Sequence, residues 1–209
     1  MDVYEVSQET LKEIVNSGAD VGVIGEWAIW AYNPYKYSMD IDIVLKPGDL
    51  WKVREKLLEL RFNETSGSHL GEKGFKKALE DGVIEVDVYD EMIGPFKAGD
   101  VLRRSVKKKL FGHMTKVASP TDLLILKLHA LMERQESVKG QKDISDLIAL
   151  LLAARGEMDV EKVREAVAKK ALKDAIALLT SSYQQTARFY PLSMAEYKKL
   201  KVALEKWIP

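Results

Sequence analysis

The 209-residue chain contains no cysteine, which excludes a disulfide framework and any thiolate-ligated zinc or iron–sulfur site. Histidine is almost as scarce, with three residues, too few for an imidazole-rich metal cage. The longest apolar run is the eight residues Leu147–Ala154, far short of the roughly 20 that a membrane-spanning helix needs. The N-terminus shows no basic segment leading into an apolar one, so the chain reads as a soluble cytoplasmic protein with no membrane partner. Net charge is missing too. The 32 basic and 32 acidic residues cancel, so no global field draws the protein to nucleic acid or lipid, and any charge steering is local. Internal repeats and low-complexity segments are absent.

What is present divides near residue 119. Before it, short β-rich runs alternate with helical ones; after it, nearly everything has helical period. The segment "SQETLKEIVNSGAD" reads as a helix with Ser7 as N-cap and Gly18 as stop. A strand "VGVIG", a short helix "EWAIWAY" and a strand "IDIVL" follow, and then a helix over "GDLWKVREKLLELRF" behind Asp49 as cap. The stretch "SGSHLGEKG" reads as a loop, and "VIEVDVYD" as a strand with Ile84, Val86 and Val88 on one face and Glu85 and Asp87 on the other. The second half opens on "SPTD", with Ser119 as cap and Pro120 at the first helical position. Further helices are predicted over "DISDLIALLLAAR", "DVEKVREAVAKKAL", "KDAIALLTSSYQQT" and "SMAEYKKLKVALEKW", the last with a Ser193–Glu196 capping box. The fold class is α+β: a small mixed sheet flanked by helices over residues 1–118, α/β-like in its order, followed by an all-helical domain over 119–209.

Two aspartates sit inside an apolar run in "YSMDIDIV". On a strand, positions i and i+2 share a face about 7 Å apart, so Asp40 and Asp42 present their carboxylates side by side, where they repel unless a cation lies between them. A divalent ion with oxygen ligands resolves that repulsion and serves phosphate chemistry. Asp87, on a later valine-flanked strand, can supply a third carboxylate. The plainer alternative is that the pair lies on the wet face of a half-buried strand. Gly25 ends the preceding strand as a helix begins, which turns backbone N–H groups toward the strand tips, a cradle suited to phosphate.

In these residues the sequence resembles the nucleotidyltransferase fold of the DNA polymerase β superfamily. That signature has a Gly and a second small residue, a spacer, then Asp-x-Asp among apolar residues and a later acid; Gly25, Asp40, Asp42 and Asp87 fall on those places, with thirteen residues between Glu26 and Asp40. Small stand-alone members related to the AbiEii-type toxins of abortive-infection systems often read "Arg-x-Thr-x-Asp-Ile-Asp", matched here by "KYSMDID" with Lys36 and Ser38. Their helical half carries Ser-Pro-x-Asp-Leu, Lys-Leu-x-Ala, an Arg and Lys-Asp-x-x-Asp-Leu. Lys127, Arg134, Lys142, Asp143 and Asp146 occupy those places in "SPTDLLILKLHALMERQESVKGQKDISDL". The likeness spans residues 20–150.

The resemblance implies an Mg2+- or Mn2+-dependent nucleotidyltransferase. Asp40, Asp42 and Asp87 would be catalytic and metal-holding, and Gly25, Glu26, Ser38, Lys127, Lys142 and Asp143 would contact the nucleotide. An NMP would pass from an NTP, ATP among the candidates, to a hydroxyl of tRNA or other RNA, of a protein or of a small molecule such as an aminoglycoside, in a toxin–antitoxin setting with an antitoxin partner. Glu26 departs from the small residue of the signature: either it swings away and joins the metal shell, or it lies in the phosphate path. In the second case the chain is a catalytically inactive relative that binds nucleotide, RNA or a partner protein. Lys127, surrounded by leucines, needs a partner; it and Arg134 either reach the triphosphate or the carboxylate cluster, or snorkel to solvent. The acid-free basic block at residues 103–116, within "VLRRSVKKKLFGHMTK", is either a solvated hairpin or an RNA contact. Trp27, Trp30, Tyr32, Tyr35 and Tyr37 either pack or stack on a base.

Overall fold

The computed structural model describes residues 2–66 and 72–208. Its first helix, α1 (Val3–Val15), begins before the serine expected to cap it, because Asp2 and Glu5 already form a capping box. Ser7 instead lies buried within the helix, where its hydroxyl accepts a hydrogen bond from Trp27 Nε1 at 3.2 Å. Gly18, beyond the helix end, has φ of 79°. Then follow β1 (Val21–Ile24), α2 (Gly25–Trp30), β2 (Ile41–Leu45), α3 (Leu50–Glu59), β3 (Asn63–Ser66), β4 (Glu72–Leu79) and β5 (Gly82–Tyr89). Asp49 stands at the N-cap position of α3, but its carboxylate accepts the Asp20 N–H at 2.9 Å and gives the helix no side-chain cap. The stretch 66–74, expected as a loop, lies partly outside the described residues; its two ends belong to β3 and β4.

The seven-stranded mixed sheet has the order β3-β4-β5-β2-β1-β9-β8, where β8 (Val106–Leu110) and β9 (His113–Val117) form a hairpin. β2 runs parallel to β5 and antiparallel to β1, and β1 runs parallel to β9. Alternation assigns the two faces. Ile41, Ile43, Leu45, Ile84, Val86 and Val88 are fully buried on one face, each contributing about 1.5–3 kcal/mol of apolar burial. On that side α1 packs against α3 and β5, with Leu11, Ile14, Val53 and Leu57 buried. After a short hairpin of β6 (Met92–Ile93) and β7 (Phe96–Lys97), α4 (Ala98–Arg104) packs on β1 and β2. It lies on the opposite face: a Cβ on Gly22 would meet Leu102 Cδ1 and Val44 Cγ2, each at 3.0 Å. α4 covers the Gly22–Val44 end, and Asp42 lies further along the same face.

The chain divides into two compact units, residues 1–119 and 120–209. The second contains α5 (Pro120–Arg134), α6 (Val138–Ala154), α7 (Val160–Ala166), α8 (Lys169–Leu179), α9 (Tyr183–Phe189) and α10 (Met194–Glu205). The Ser193–Glu196 capping box is present. Two expected helices are broken differently. "DVEKVREAVAKKAL" stops at Ala166 because Val167 turns extended (φ −117°, ψ 126°) and is buried, so that α8 restarts with Leu172, Ala175, Ile176 and Leu179 inward. "KDAIALLTSSYQQT" breaks where Ser182 caps α9 through the Gln185 N–H.

Candidate active site

Two parallel strands bring the carboxylates together. Asp42 on β2 is in register with Asp87 on parallel β5, so the two side chains leave the same face of the sheet on neighbouring strands, roughly 4.8 Å apart. Both are half-buried, whereas Asp40, just ahead of β2, is exposed. Asp40 is set by Ser38, whose buried hydroxyl donates to the Asp40 carbonyl at 3.1 Å and accepts the Asp40 N–H at 3.2 Å. Ser38, expected at the nucleotide, thus also fixes the backbone that carries Asp40.

Gly25, the first residue of α2 directly after β1, completes the arrangement. It has φ of 64°, and a Cβ placed on it would lie 2.0 Å from Asp42 Oδ2. Only glycine tolerates both the left-handed backbone and that approach. Glu26 follows directly, and its carboxylate pairs with Lys36 Nζ at 3.5 Å, both side chains about one quarter exposed (22% and 27%). Lys36 also lies over the Tyr35 ring, 5.2 Å from its centre.

The far side of the carboxylates is formed by β4, which sequence reasoning did not connect to them. Lys76 stands opposite Glu85 in the β4–β5 register and binds its Oε1 at 2.8 Å. The hydrogen bond that its ammonium donates to Glu85 raises Lys76 above the usual lysine value, and the charges of Glu85, Asp87 and Asp40 act in the same direction. Gly74 stands opposite Asp87. Lys76 carries no local signal in "EKGFKKAL"; only the pairing with β5 brings it to the site.

The all-oxygen donors Asp42 and Asp87, side by side on adjacent strands, suit a hard divalent cation. Among the described residues no group of three or more His, Cys, Asp or Glu side chains is gathered closely enough to hold an ion. The expected three-carboxylate metal centre takes the form of an in-register pair, Asp42 and Asp87, with Asp40 exposed two residues before Asp42 at the entry of β2.

The aromatic residues near the site mainly pack. Trp27 is 1% exposed and meets Phe111 edge-on at 4.7 Å. Tyr37 is 56% exposed and stacks on Trp30 at 6.3 Å, and Tyr32 Oη donates to the Ala118 carbonyl at 3.0 Å. The basic block spans the end of α4 and the β8–β9 hairpin. Register divides it: Lys107 opposes Lys116 and Lys108 opposes Thr115. Lys107 and Lys109 are exposed on the face that carries Asp42. Lys108 turns to the other face, over the Tyr32 ring at 4.3 Å.

In the helical unit, Lys127 is held by Asp143 at 3.0 Å and by Asp146 at 2.6 Å. Arg134 reaches the same Asp143 through two hydrogen bonds of 2.7 and 3.0 Å. Asp143 and Asp146 are almost wholly buried, and Ser137 caps α6, so Asp143 does not. Lys142 is exposed on the outer side of α6.

Residues 4–178 match the family described as "Nucleotidyl transferase of unknown function (DUF2204)". No curated protein matches the chain. Solved structures similar in fold include three with the following likeness. An antigenic nucleotidyltransferase-like protein from Paracoccidioides brasiliensis has TM-score 0.58 and 19% identity, over 90% of this chain and 91% of that one. ANT(2")-Ia in complex with adenylyl-2"-tobramycin has TM-score 0.56 and 13% identity, over 78% and 93%. The lincosamide antibiotic adenylyltransferase LnuA, lincomycin-bound, has TM-score 0.50 and 14% identity, over 67% and 92%.

Proposed function

Because the chain belongs to this nucleotidyl transferase family, we propose that it moves a nucleoside monophosphate from an NTP to a hydroxyl acceptor, with Asp42 and Asp87 as the reacting carboxylates. The observation that carries this reading is the in-register Asp42–Asp87 pair with Gly25 folded against Asp42. In the reaction the acceptor oxygen attacks the α-phosphorus, the bond between the α-phosphorus and the bridging oxygen breaks, and pyrophosphate leaves. Asp87 takes the proton of the acceptor hydroxyl on a carboxylate oxygen. Ser38 keeps Asp40 in place beside the pair. Mg2+ or Mn2+ would be held by Asp42 and Asp87 with Asp40, and when bound supplies positive charge to the phosphates.

The acceptor has two readings. Two neighbours in fold carry an adenylylated or bound antibiotic in their names, which supports a small hydroxylated molecule. Lys107 and Lys109, exposed on the sheet face that carries Asp42, support RNA as the second. The test is incubation of the protein with each α-³²P-labelled NTP and Mg2+, with cellular RNA in one arm and tobramycin and lincomycin in another. Label in either acceptor, lost in Asp42→Asn, supports the reading and selects the acceptor; no label with any NTP in either arm sinks it.

A further inference from the structure

Two lysines on the segments that build the site, Lys76 and Lys36, are each held by a glutamate. Lys76 is held by Glu85 on the wet side, where the side chains are 47% and 37% exposed, a setting in which ion pairs are weak and screened. Lys36 is held by Glu26 in a more enclosed place, the side chains 27% and 22% exposed. That second pair lies at the lip of the site. Glu26 directly follows Gly25, whose backbone is pressed against Asp42, and Lys36 lies four residues ahead of Asp40 in the segment that Ser38 fixes. Glu26 therefore adds a carboxylate to a site that already holds Asp40, Asp42 and Asp87, where a polyanionic triphosphate is to bind.

The Lys36–Glu26 separation of 3.5 Å is an ion-pair distance, longer than a direct charge-assisted hydrogen bond. Charge-assisted hydrogen bonds from an ammonium to a carboxylate or a phosphate oxygen run about 2.7–2.9 Å, and a triphosphate at this lip brings several such oxygens and more negative charge than one carboxylate, so it competes with Glu26 for Lys36. From this geometry we infer that Lys36 exchanges partners, bound to Glu26 in the nucleotide-free protein and to a triphosphate oxygen in the complex, so that Glu26 sets nucleotide affinity by restraining it. The inference rests on the transferase reading above and adds a residue pair that determines how tightly the nucleotide is held. Glu26 is neither a metal ligand nor a plug in this account; it is the counter-charge that Lys36 gives up.

The test is equilibrium dialysis of the intact chain against each α-³²P-labelled NTP with Mg2+, for the natural protein, Glu26→Gln, Lys36→Met and the double variant, with circular dichroism melts to establish that all are folded. Glu26→Gln is expected to tighten binding about tenfold and Lys36→Met to weaken it about tenfold; with Lys36 absent, Glu26→Gln is expected to gain less than about twofold, since contacting residues are non-additive. Should Glu26→Gln melt early, Glu26→Ser takes its place in the cycle. Unchanged or weaker binding by the Glu26 variant overturns the inference, and so does an equal gain with and without Lys36, which would mean that Glu26 acts by bulk charge alone. Those outcomes leave the transferase reading standing, because the natural protein still binds Mg2+–NTP. If it binds none of the four NTPs and transfers no label, the reading fails and takes the inference with it.

Discussion

Gly25 is where backbone conformation and chemistry meet. Its left-handed φ and its contact with Asp42 make Gly25→Ala strained twice over, and the variant is expected to lose about 2 kcal/mol of stability in urea unfolding. Its loss of transfer should exceed what unfolding explains, because the new methyl displaces Asp42. Asp42→Asn and Asp87→Asn keep shape and remove charge, so each is expected to lower label transfer roughly 10²–10³-fold with the melting temperature little changed. The spacing of Gly25, Asp40 and Asp42 is readable in the sequence because it is local to one strand–helix–strand segment, whereas the place of Asp87 beside Asp42 depends on the β2–β5 pairing. Lys76 and Glu85 were not legible as a pair, because their meeting depends on the β4–β5 register. The destination of the Glu26 side chain was open for the same reason: its partner Lys36 is ten residues away across a loop.

The elements show a similar division. Strand alternation in β5 was readable from valine spacing, and the start of α5 at Pro120 from its proline. Ser7 misled because a hydroxyl suited to capping is equally suited to a buried partner, here the Trp27 indole. The break at Val167 has no Gly or Pro to announce it; it follows from tertiary burial of that valine. Within α5 and α6, Lys127 compensates two buried carboxylates, its own side chain 13% exposed. Lys127→Met leaves them short of a cation and is expected to cost about 3–5 kcal/mol, measured by chemical denaturation. At α10, Glu196 is held below its ordinary value by hydrogen bonds from Ser193. A lowered folded value means that this contribution is complete above the unfolded value and lost as pH falls through the folded one. Amide protection factors in the first turn of α10, exchange rates divided by the intrinsic rate at each pH, should therefore fall on acidification, and Glu196→Ala should remove that acid dependence while lowering protection at neutral pH.

At the scale of the molecule, a neutral chain organises its charge by pairing: Lys36 with Glu26, Lys76 with Glu85, Lys127 with Asp143 and Asp146. Composition alone registers these as a cancelled sum; pairing across strands and helices determines which charges meet. The mixed sheet was readable in outline from β1, β2 and β5, while its seven-strand width depends on the hairpins β3–β4 and β8–β9, whose strands are polar enough to read as loops or solvated turns. The central claim concerns the chemistry of Asp42 and Asp87, and the most direct measurement counts products. The protein is incubated with an α-³²P-labelled NTP, Mg2+ and acceptor, and label incorporated and pyrophosphate released are quantified together, with Asp42→Asn beside it. One pyrophosphate is expected for each label incorporated, both lost in the variant. Pyrophosphate or label formed equally well by Asp42→Asn, or no product of either kind from the natural protein, would contradict it.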